Sequence, residues 1–270
     1  AHGLMAAPLP FAACELAPGA EPAGVRLGGL PGAPQALLVR TIPAGSFEQV
    51  TLRLGLLHPL EACGVVVLNP PRAIERCVDK AATSFHLARA GLPIPPSWAV
   101  ERAERARALV AAEAAAGHAV VLKPLFGAQG KGVRRLRSPA ELPDGAEVAG
   151  VWYLQRYVET ARPFEDFRVL VVGGRAVAAM RRRSAQWPTN VRQGGVPEAV
   201  AAEGELARLA VAAADAVGAD HAGVDLIADR DGRLLVLEVN SMPAWQGLQS
   251  VTPIDIAGAL VARVARRIGR

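Results

Sequence analysis

The segment Gly223-Val-Asp-Leu-Ile-Ala-Asp-Arg-Asp-Gly-Arg-Leu-Leu-Val-Leu-Glu-Val-Asn240 reads as two apolar strands about a tight turn, which commits this part of the chain to a buried antiparallel pair. With Asp231-Gly232 as a two-residue turn, pairing counts outward to set Asp225 directly opposite Glu238. Side chains alternate along a strand, so Asn240 shares the face of Glu238. Like charges opposed across a ladder destabilise it unless a cation lies between them. Two carboxylates and an amide oxygen are hard donors that suit magnesium shared with nucleotide phosphates. The competing reading is a solvated hairpin face, and a turn shifted to Arg230-Asp231 would undo the pairing.

Upstream, a strand-like run at Ala36 to Val39, a helical stretch from Ser46 to Leu57 and an apolar run at Gly64 to Leu68 predict a parallel βαβ unit. Asn69 is placed to cap the next helix, which the pattern carries through Lys80 to Ala90. A charged helix at Glu101 to Ala116 leads to a strand at Ala119 to Pro124, a glycine-rich loop at Gly127 to Gly132 and a second strand at Val133 to Leu136. Further strands follow at Val151 to Glu159, Phe167 to Val172 and Arg175 to Met180, the last two joined by Gly173-Gly174. A helix at Glu203 to Val217, the hairpin and a last helix opened by Thr252-Pro253 complete an α+β chain behind a βαβ start. Residues 1 to 34 yield no assigned element.

Of 30 basic side chains only three are lysine, Lys80, Lys123 and Lys131, and asparagine is as scarce. Where arginine serves as the generic surface charge, a lysine marks a position wanting a compact ammonium. The formal charge of +5 raises nucleic-acid binding, but the arginines are scattered along helices without interleaved aromatics, which argues against it. Charged residues or glycine interrupt every apolar stretch before the roughly 18 residues of a membrane span. The amino end lacks the basic and continuous apolar regions of a secretory signal, which favours the cytoplasm. Cys14, Cys63 and Cys77 fit no metal or disulfide spacing and read as buried free thiols.

The loop Lys123-Pro-Leu-Phe-Gly-Ala-Gln-Gly-Lys-Gly132 offers backbone amides that can lie over phosphates. It is no P-loop, since Gly-Lys-Gly stands in place of Gly-Lys-Ser/Thr and a strand follows. A mobile lid and an ordinary hairpin turn are both open at this point. Asp166-Phe-Arg168, Arg181-Arg-Arg183 and Trp187-Pro-Thr-Asn190 could clamp a transferring phosphoryl group or form a solvated charged face.

The order of motifs resembles the ATP-grasp superfamily, and within it the RimK-like α-L-glutamate ligases, across residues 36 to 262. The resemblance rests on Val78-Asp-Lys80 with Ala90-Gly-Leu-Pro-Ile-Pro95, the loop at 123 to 132, Leu154-Gln-Arg-Tyr157, Asp166-Phe-Arg-Val-Leu-Val-Val-Gly173 and Glu238-Val-Asn240. It implies an ATP-grasp fold with a pre-ATP-grasp domain at 1–79, a lid subdomain at about 98–157 and a carboxyl-terminal subdomain at 158–270. It implies nucleotide contacts from Lys80, Lys123, Gly130, Lys131, Gln155, Arg156, Tyr157, Asp166, Thr189 and Asn190, and a substrate contact from Arg168. Arg182 and Asn240 take catalytic roles, and Asp225, Glu238 and Asn240 bind magnesium or manganese, as a pair of ions. Arg156 departs from the family pattern, where an acidic residue is frequent. Trp187-Pro-Thr-Asn190 and the stretch Asn240 to Gln249 look closest to the tetrahydromethanopterin:glutamate ligases.

The expected activity is ATP-dependent amide formation through an acyl phosphate, joining L-glutamate to a carboxylated acceptor such as a pterin- or furan-type one-carbon carrier. Another ATP-grasp ligase (of proteins, peptides or amino acids) and a catalytically degenerate nucleotide-binding protein are the alternatives. A homo-oligomer is compatible with the sequence.

Overall fold

The computed structural model describes residues 3–19, 24–30, 32–127, 130–160, 164–187, 189 and 194–269. The chain opens with a short antiparallel pair, β1 (Cys14–Leu16) and β2 (Val25–Leu27), in the region where the sequence yielded no element. The βαβ unit follows: β3 (Ala36–Leu38), α1 (Phe47–Gly55), α2 (Leu57–Ala62) and β4 (Val66–Leu68), with β3 and β4 parallel as expected. Ser46 and Gln49 form a reciprocal capping box at the start of α1. Leu56, Leu57, Leu60, Val65, Val67 and Ile74 bury the unit's own small core, against which Phe11 and Leu27 pack.

The helix expected up to Ala90 is two helices, α3 (Pro71–Val78) and α4 (Lys80–Arg89). Asp79 leaves the helical region (φ −97°, ψ 110°) and its carboxylate accepts from Ala81 N and Ala82 N, so it starts α4. Asn69 does not cap α3. Its amide donates to His221 O (2.8 Å) and Ser241 O (2.6 Å), and its oxygen accepts from His221 N (2.8 Å).

Next come β5 (Ser97–Val100), α5 (Ala103–Ala115), β6 (Val120–Lys123), β7 (Arg134–Leu136) and β8 (Trp152–Arg156), the strands forming an antiparallel sheet in the order β5-β8-β6-β7. α5 buries Ala106, Leu109, Val110 and Glu113, a helical stripe, against Val120, Leu122, Trp152 and Leu154 on one face of this sheet. The opposite face, carrying Val121, Lys123 and Gln155, is left for the site.

The larger sheet contains β9 (Phe164–Val172), β10 (Arg175–Ser184), β11 (Val196–Val200), β12 (His221–Ala228) and β13 (Leu234–Asn240), with α6 (Gly204–Val217) between β11 and β12. Its order is β11-β10-β9-β12-β13, antiparallel throughout. Gly173 and Gly174 both have positive φ, as a two-residue hairpin turn requires. The alanine-rich face of α6 packs closely on Val169, Val171, Val224, Val236 and Val239. On the reverse face α7 (Gln246–Gln249) and α8 (Ile256–Arg267) cover Leu170, Val172, Ala178 and Met180 at one end. The other end of that face is uncovered by helix, and there the polar side chains gather.

The β12–β13 hairpin differs from expectation in its turn. Ala228 pairs with Leu234, so Arg230, Asp231 and Gly232 form a three-residue turn, with Asp229 Oδ1 accepting from Asp231 N and Arg233 N. Pairing then slips between Asp225 and Leu226, leaving Leu237 as the extra residue of a β-bulge. The slip restores Asp225 opposite Glu238, the pairing expected for a different turn.

Candidate active site

Strand alternation and register build the site. Asp166 and Arg168 lie on one face of β9. Arg182 pairs with Asp166 from β10, and Asp225 pairs with Arg168 from β12 and with Glu238 from β13. The guanidinium of Arg182 grips both oxygens of Asp166 at 2.6 and 2.7 Å, and Thr189 Oγ1 donates to the same carboxylate at 2.6 Å. Arg168 grips Asp225 at 2.7 Å on both oxygens, and Arg182 reaches Asp225 at 3.2 Å. The result is a continuous chain from Thr189 through Asp166, Arg182 and Asp225 to Arg168.

Burial alone would raise the Asp225 carboxyl, but the adjacent charges of Arg168 and Arg182 hold it well below the usual carboxylate range. For Asp166 burial wins and its carboxyl is raised above its ordinary value. Arg182 is buried too, yet Asp225 and Asp166 raise its affinity for its proton.

Facing this sheet across a cleft is the open face of the smaller one. Twelve expected residues line the cleft: Lys80, Lys123, Gly130, Lys131, Gln155, Arg156, Tyr157, Asp166, Arg182, Thr189, Asp225 and Glu238. Lys123 Nζ donates to Gln155 Oε1 at 2.7 Å, and Gln155 is oriented by Ser97 Oγ at 3.1 Å. Lys80 Nζ donates to the loop carbonyls of Leu125 (3.4 Å) and Gly127 (3.0 Å). Among the described residues neither ammonium forms an ion pair. Burial lowers both lysine pKa values, while the negative charge of Glu238 opposes the shift. Two partly desolvated cations held by neutral acceptors are poised for an anionic ligand.

Three expected residues are not among these. Arg168 does not line the cleft, because its guanidinium is committed to Asp225. Asn240 shares the face of Glu238 but does not line the cleft, and its oxygen accepts from Met242 N at 2.9 Å. Asn190 lies outside the described residues. Arg156 lines the cleft, but alternation turns its side chain to the α5 face, where Glu113 accepts at 2.6 and 2.9 Å. Arg156 thus presents its backbone to the cleft.

The sequence reading named polar residues and missed the apolar walls: Val121, Val133, Ile227 and Leu237. Alternation would have found Val121 beside Lys123 and Ile227 beside Asp225. Leu237 needs the bulge, which puts it and Glu238 in the cleft together. Trp187 also lines the cleft, with its ring edge-on to Tyr157 at 6.0 Å between centroids.

The donor set fits magnesium bound together with phosphates. Asp225 and Glu238 are directly opposed; Asp225 Oδ1 accepts from Arg168 alone and keeps a lone pair, and Glu238 forms no ion pair among the described residues. Among the described residues there is no cluster of three or more His, Cys, Asp or Glu that would hold an ion unaided. The thiols are free, but Cys63 is exposed and Cys14 and Cys77 are half-buried, which corrects the expectation of burial for all three. Burial raises the Cys77 thiol to about 12.

The sequence pattern of the RimK-like ATP-grasp domain matches residues 77–264. The chain belongs to the RimK-like ATP-grasp family. It is 39% identical over 204 residues to a tetrahydromethanopterin:alpha-L-glutamate ligase of Methanococcus maripaludis, covering 73% of this chain and 68% of that protein. A second tetrahydromethanopterin:alpha-L-glutamate ligase, of Methanosarcina acetivorans, is 35% identical over 247 residues, covering 79% and 74%. The ATP-grasp ligase PsnB, solved with a phosphomimetic variant of its minimal precursor, Mg and ADP, superposes with a TM-score of 0.71 at 24% identity, over 94% of this chain and 86% of that one. The ATP-grasp fold is therefore common to both, and this chain is an ATP-grasp ligase, an enzyme that forms carbon–nitrogen bonds. No helix among the described residues is long and apolar enough to cross a membrane.

Proposed function

We propose that this ligase uses ATP to convert a carboxylate into an acyl phosphate and joins it to the amine of L-glutamate, the acceptor being a carboxylated one-carbon carrier of the pterin or furan type. The observation that carries this reading is the convergence of Lys80, Lys123 and Arg182 on the opposed pair Asp225 and Glu238 in one cleft with apolar walls. The names of both Methano- relatives support glutamate and a pterin.

In this reading Val121, Ile227 and Leu237 enclose the adenine ring beside the backbone at Arg156 and Tyr157. Lys80 and Lys123 exchange their neutral acceptors for phosphate oxygens, and the loop carrying Gly130 and Lys131 covers the phosphates. Asp225 and Glu238 would hold magnesium or manganese, as a pair of ions, and the ions would supply neutralisation of phosphate charge; the γ-phosphoryl group passes to the carboxylate oxygen. Asp166 and Thr189 fix Arg182 where that charge is greatest, so it needs no rearrangement during transfer. The amine then attacks the acyl carbon, the new C–N bond replaces the C–O bond to phosphate, and ADP and phosphate leave. The division at residue 79, the lid at 98–157 and the body at 158–270 belong to the same proposal.

The test is ADP release with ATP, Mg²⁺, L-glutamate and tetrahydromethanopterin, with mass analysis of the pterin. Release that needs both substrates, with gain of glutamyl units, is expected. Asp225→Ala and Glu238→Ala should each lower kcat ~100- to 1000-fold, on the scale of lost electrostatic groups at a transferring centre. Near-normal turnover by either variant would refute the metal assignment.

A further inference from the structure

Parallel strands tend to bind ligands beyond their carboxyl ends, and here the residues just past β3 and β4, Arg40 and Asn69, reach Pro243 O and Ser241 O in the stretch that follows β13. Arg40 lies two residues past β3. Its Nη2 donates to Pro243 O at 2.8 Å, and its guanidinium carbon sits 3.9 Å from the centre of the Trp245 ring. One donor and one face of the guanidinium are thereby used. Among the described residues Arg40 forms no other hydrogen bond and no ion pair, although the side chain is exposed. A guanidinium fixed in plane with free N–H groups in a fork matches a carboxylate, and pinning by a carbonyl and an aromatic ring removes much of the entropy cost of holding it there.

The position relative to the cleft follows from Gly223. A Cβ on Gly223 would meet Pro243 Cβ at 2.9 Å and Arg168 Cδ at 3.8 Å. Pro243 therefore touches the sheet beside Arg168, whose guanidinium holds Asp225. Arg40 holds Pro243, Pro243 and Arg168 both flank Gly223, and Arg168 holds Asp225, which sets Arg40 near the proposed metal pair. His221 lies close by, wholly buried, with both ring nitrogens lacking a hydrogen-bond partner. Burial, reinforced by the charge of Arg40, lowers its pKa to about 4, so it adds no charge to that of Arg40 at neutral pH.

We propose that Arg40, stacked on Trp245, forms a subsite that binds a carboxylate of one of the two molecules being joined. The proposal rests on the ligase reading above. Two sources supply that chemistry, L-glutamate and the carboxylated acceptor, and the experiment separates them.

Arg40→Gln and Arg40→Lys would be compared with wild type in two ways. Calorimetric titration with L-glutamate, glutarate and tetrahydromethanopterin, in the presence of Mg²⁺ and a non-hydrolysable ATP analogue, reads binding. Steady-state ADP release reads KM for each substrate and for ATP. Loss of one charge-assisted carboxylate contact predicts a roughly 10- to 100-fold rise in Kd and KM for a single substrate in Arg40→Gln, with the KM for ATP unchanged and partial recovery in Arg40→Lys. A rise confined to L-glutamate, shared by glutarate, assigns the amino-acid subsite; a rise confined to tetrahydromethanopterin assigns the acceptor subsite. Unchanged constants for all three ligands overturn the proposal. So does a parallel loss for substrate and ATP with a lowered melting temperature, which would mean that Arg40 only supports the fold. If wild type binds these ligands without turning over, the ligase reading fails while the binding comparison still decides the role of Arg40. If wild type binds none of them, the subsite is refuted.

Discussion

His221 carries a cost that pH exposes. Its imidazole has no exposed surface and its pKa is lowered to about 4 from 6.5, by burial first and then by Arg40. Between those values the folded state binds fewer protons than the unfolded state, so stability rises with pH across that interval and is complete above 6.5. Lowering the pH from 7 to 4 should remove up to roughly 3 kcal/mol of unfolding free energy through this group. Urea titrations of wild type and His221→Leu at several pH values would check it: wild type should lose stability relative to the variant on the acid side, and parallel curves would refute it. Nothing in the sequence around His221 signals this, since burial and the lack of a ring partner come from packing against the βαβ unit. Lys80 and Lys123, by contrast, were legible because lysine is rare in this chain, and Asp225 because strand periodicity is local information.

At the scale of elements, the break at Asp79 is informative. The apolar pattern runs through it without loss of phase, so sequence periodicity reads one helix, while Asp in the middle of that pattern is the one cue for a new start. Asp79→Ala removes two cap bonds and should lower stability by about 1 kcal/mol. Because Lys80 is the first residue of α4, the same variant should raise the KM for ATP several-fold, whereas an exposed substitution further along the helix should not. Equal effects on KM from both would show that the cap has no special bearing on Lys80. The hairpin shows a different limit. The expected turn was one residue too short and the bulge was unforeseen, and the two differences cancel at Asp225 and Glu238. The polar pair was therefore found, but Leu237, which depends on the bulge, was not.

Across the whole molecule, Asn69 ties the βαβ unit to the large sheet. One carboxamide satisfies His221 N, His221 O and Ser241 O, joining the end of β4 to the start of β12 and the end of β13. These groups are brought together across more than 150 positions of sequence, which is why local reading assigned Asn69 to a helix cap. Asn69→Ala leaves three buried backbone groups without their partner and should cost about 3 kcal/mol or more. Asn69→Asp should be no better, since a carboxylate cannot donate to the two carbonyls. Chemical denaturation measures both, and a loss below about 1 kcal/mol would mean that water replaces the amide. The wide, helix-covered features of the fold were legible from periodicity, whereas this junction depends on contacts that no local window contains.

The bulge at Leu237 also divides the β12–β13 hairpin into two parts with different tolerance for change. Residues beyond it, at 229–233, can gain or lose chain length without altering which side chain faces Asp225, because the register of the carboxylate pair is fixed on the near side of the slip. The hairpin tip is thus a natural point for splicing in a foreign peptide or fluorescent label: an insertion between Asp231 and Gly232 should preserve ATP turnover, while one between Val236 and Leu237 should abolish it.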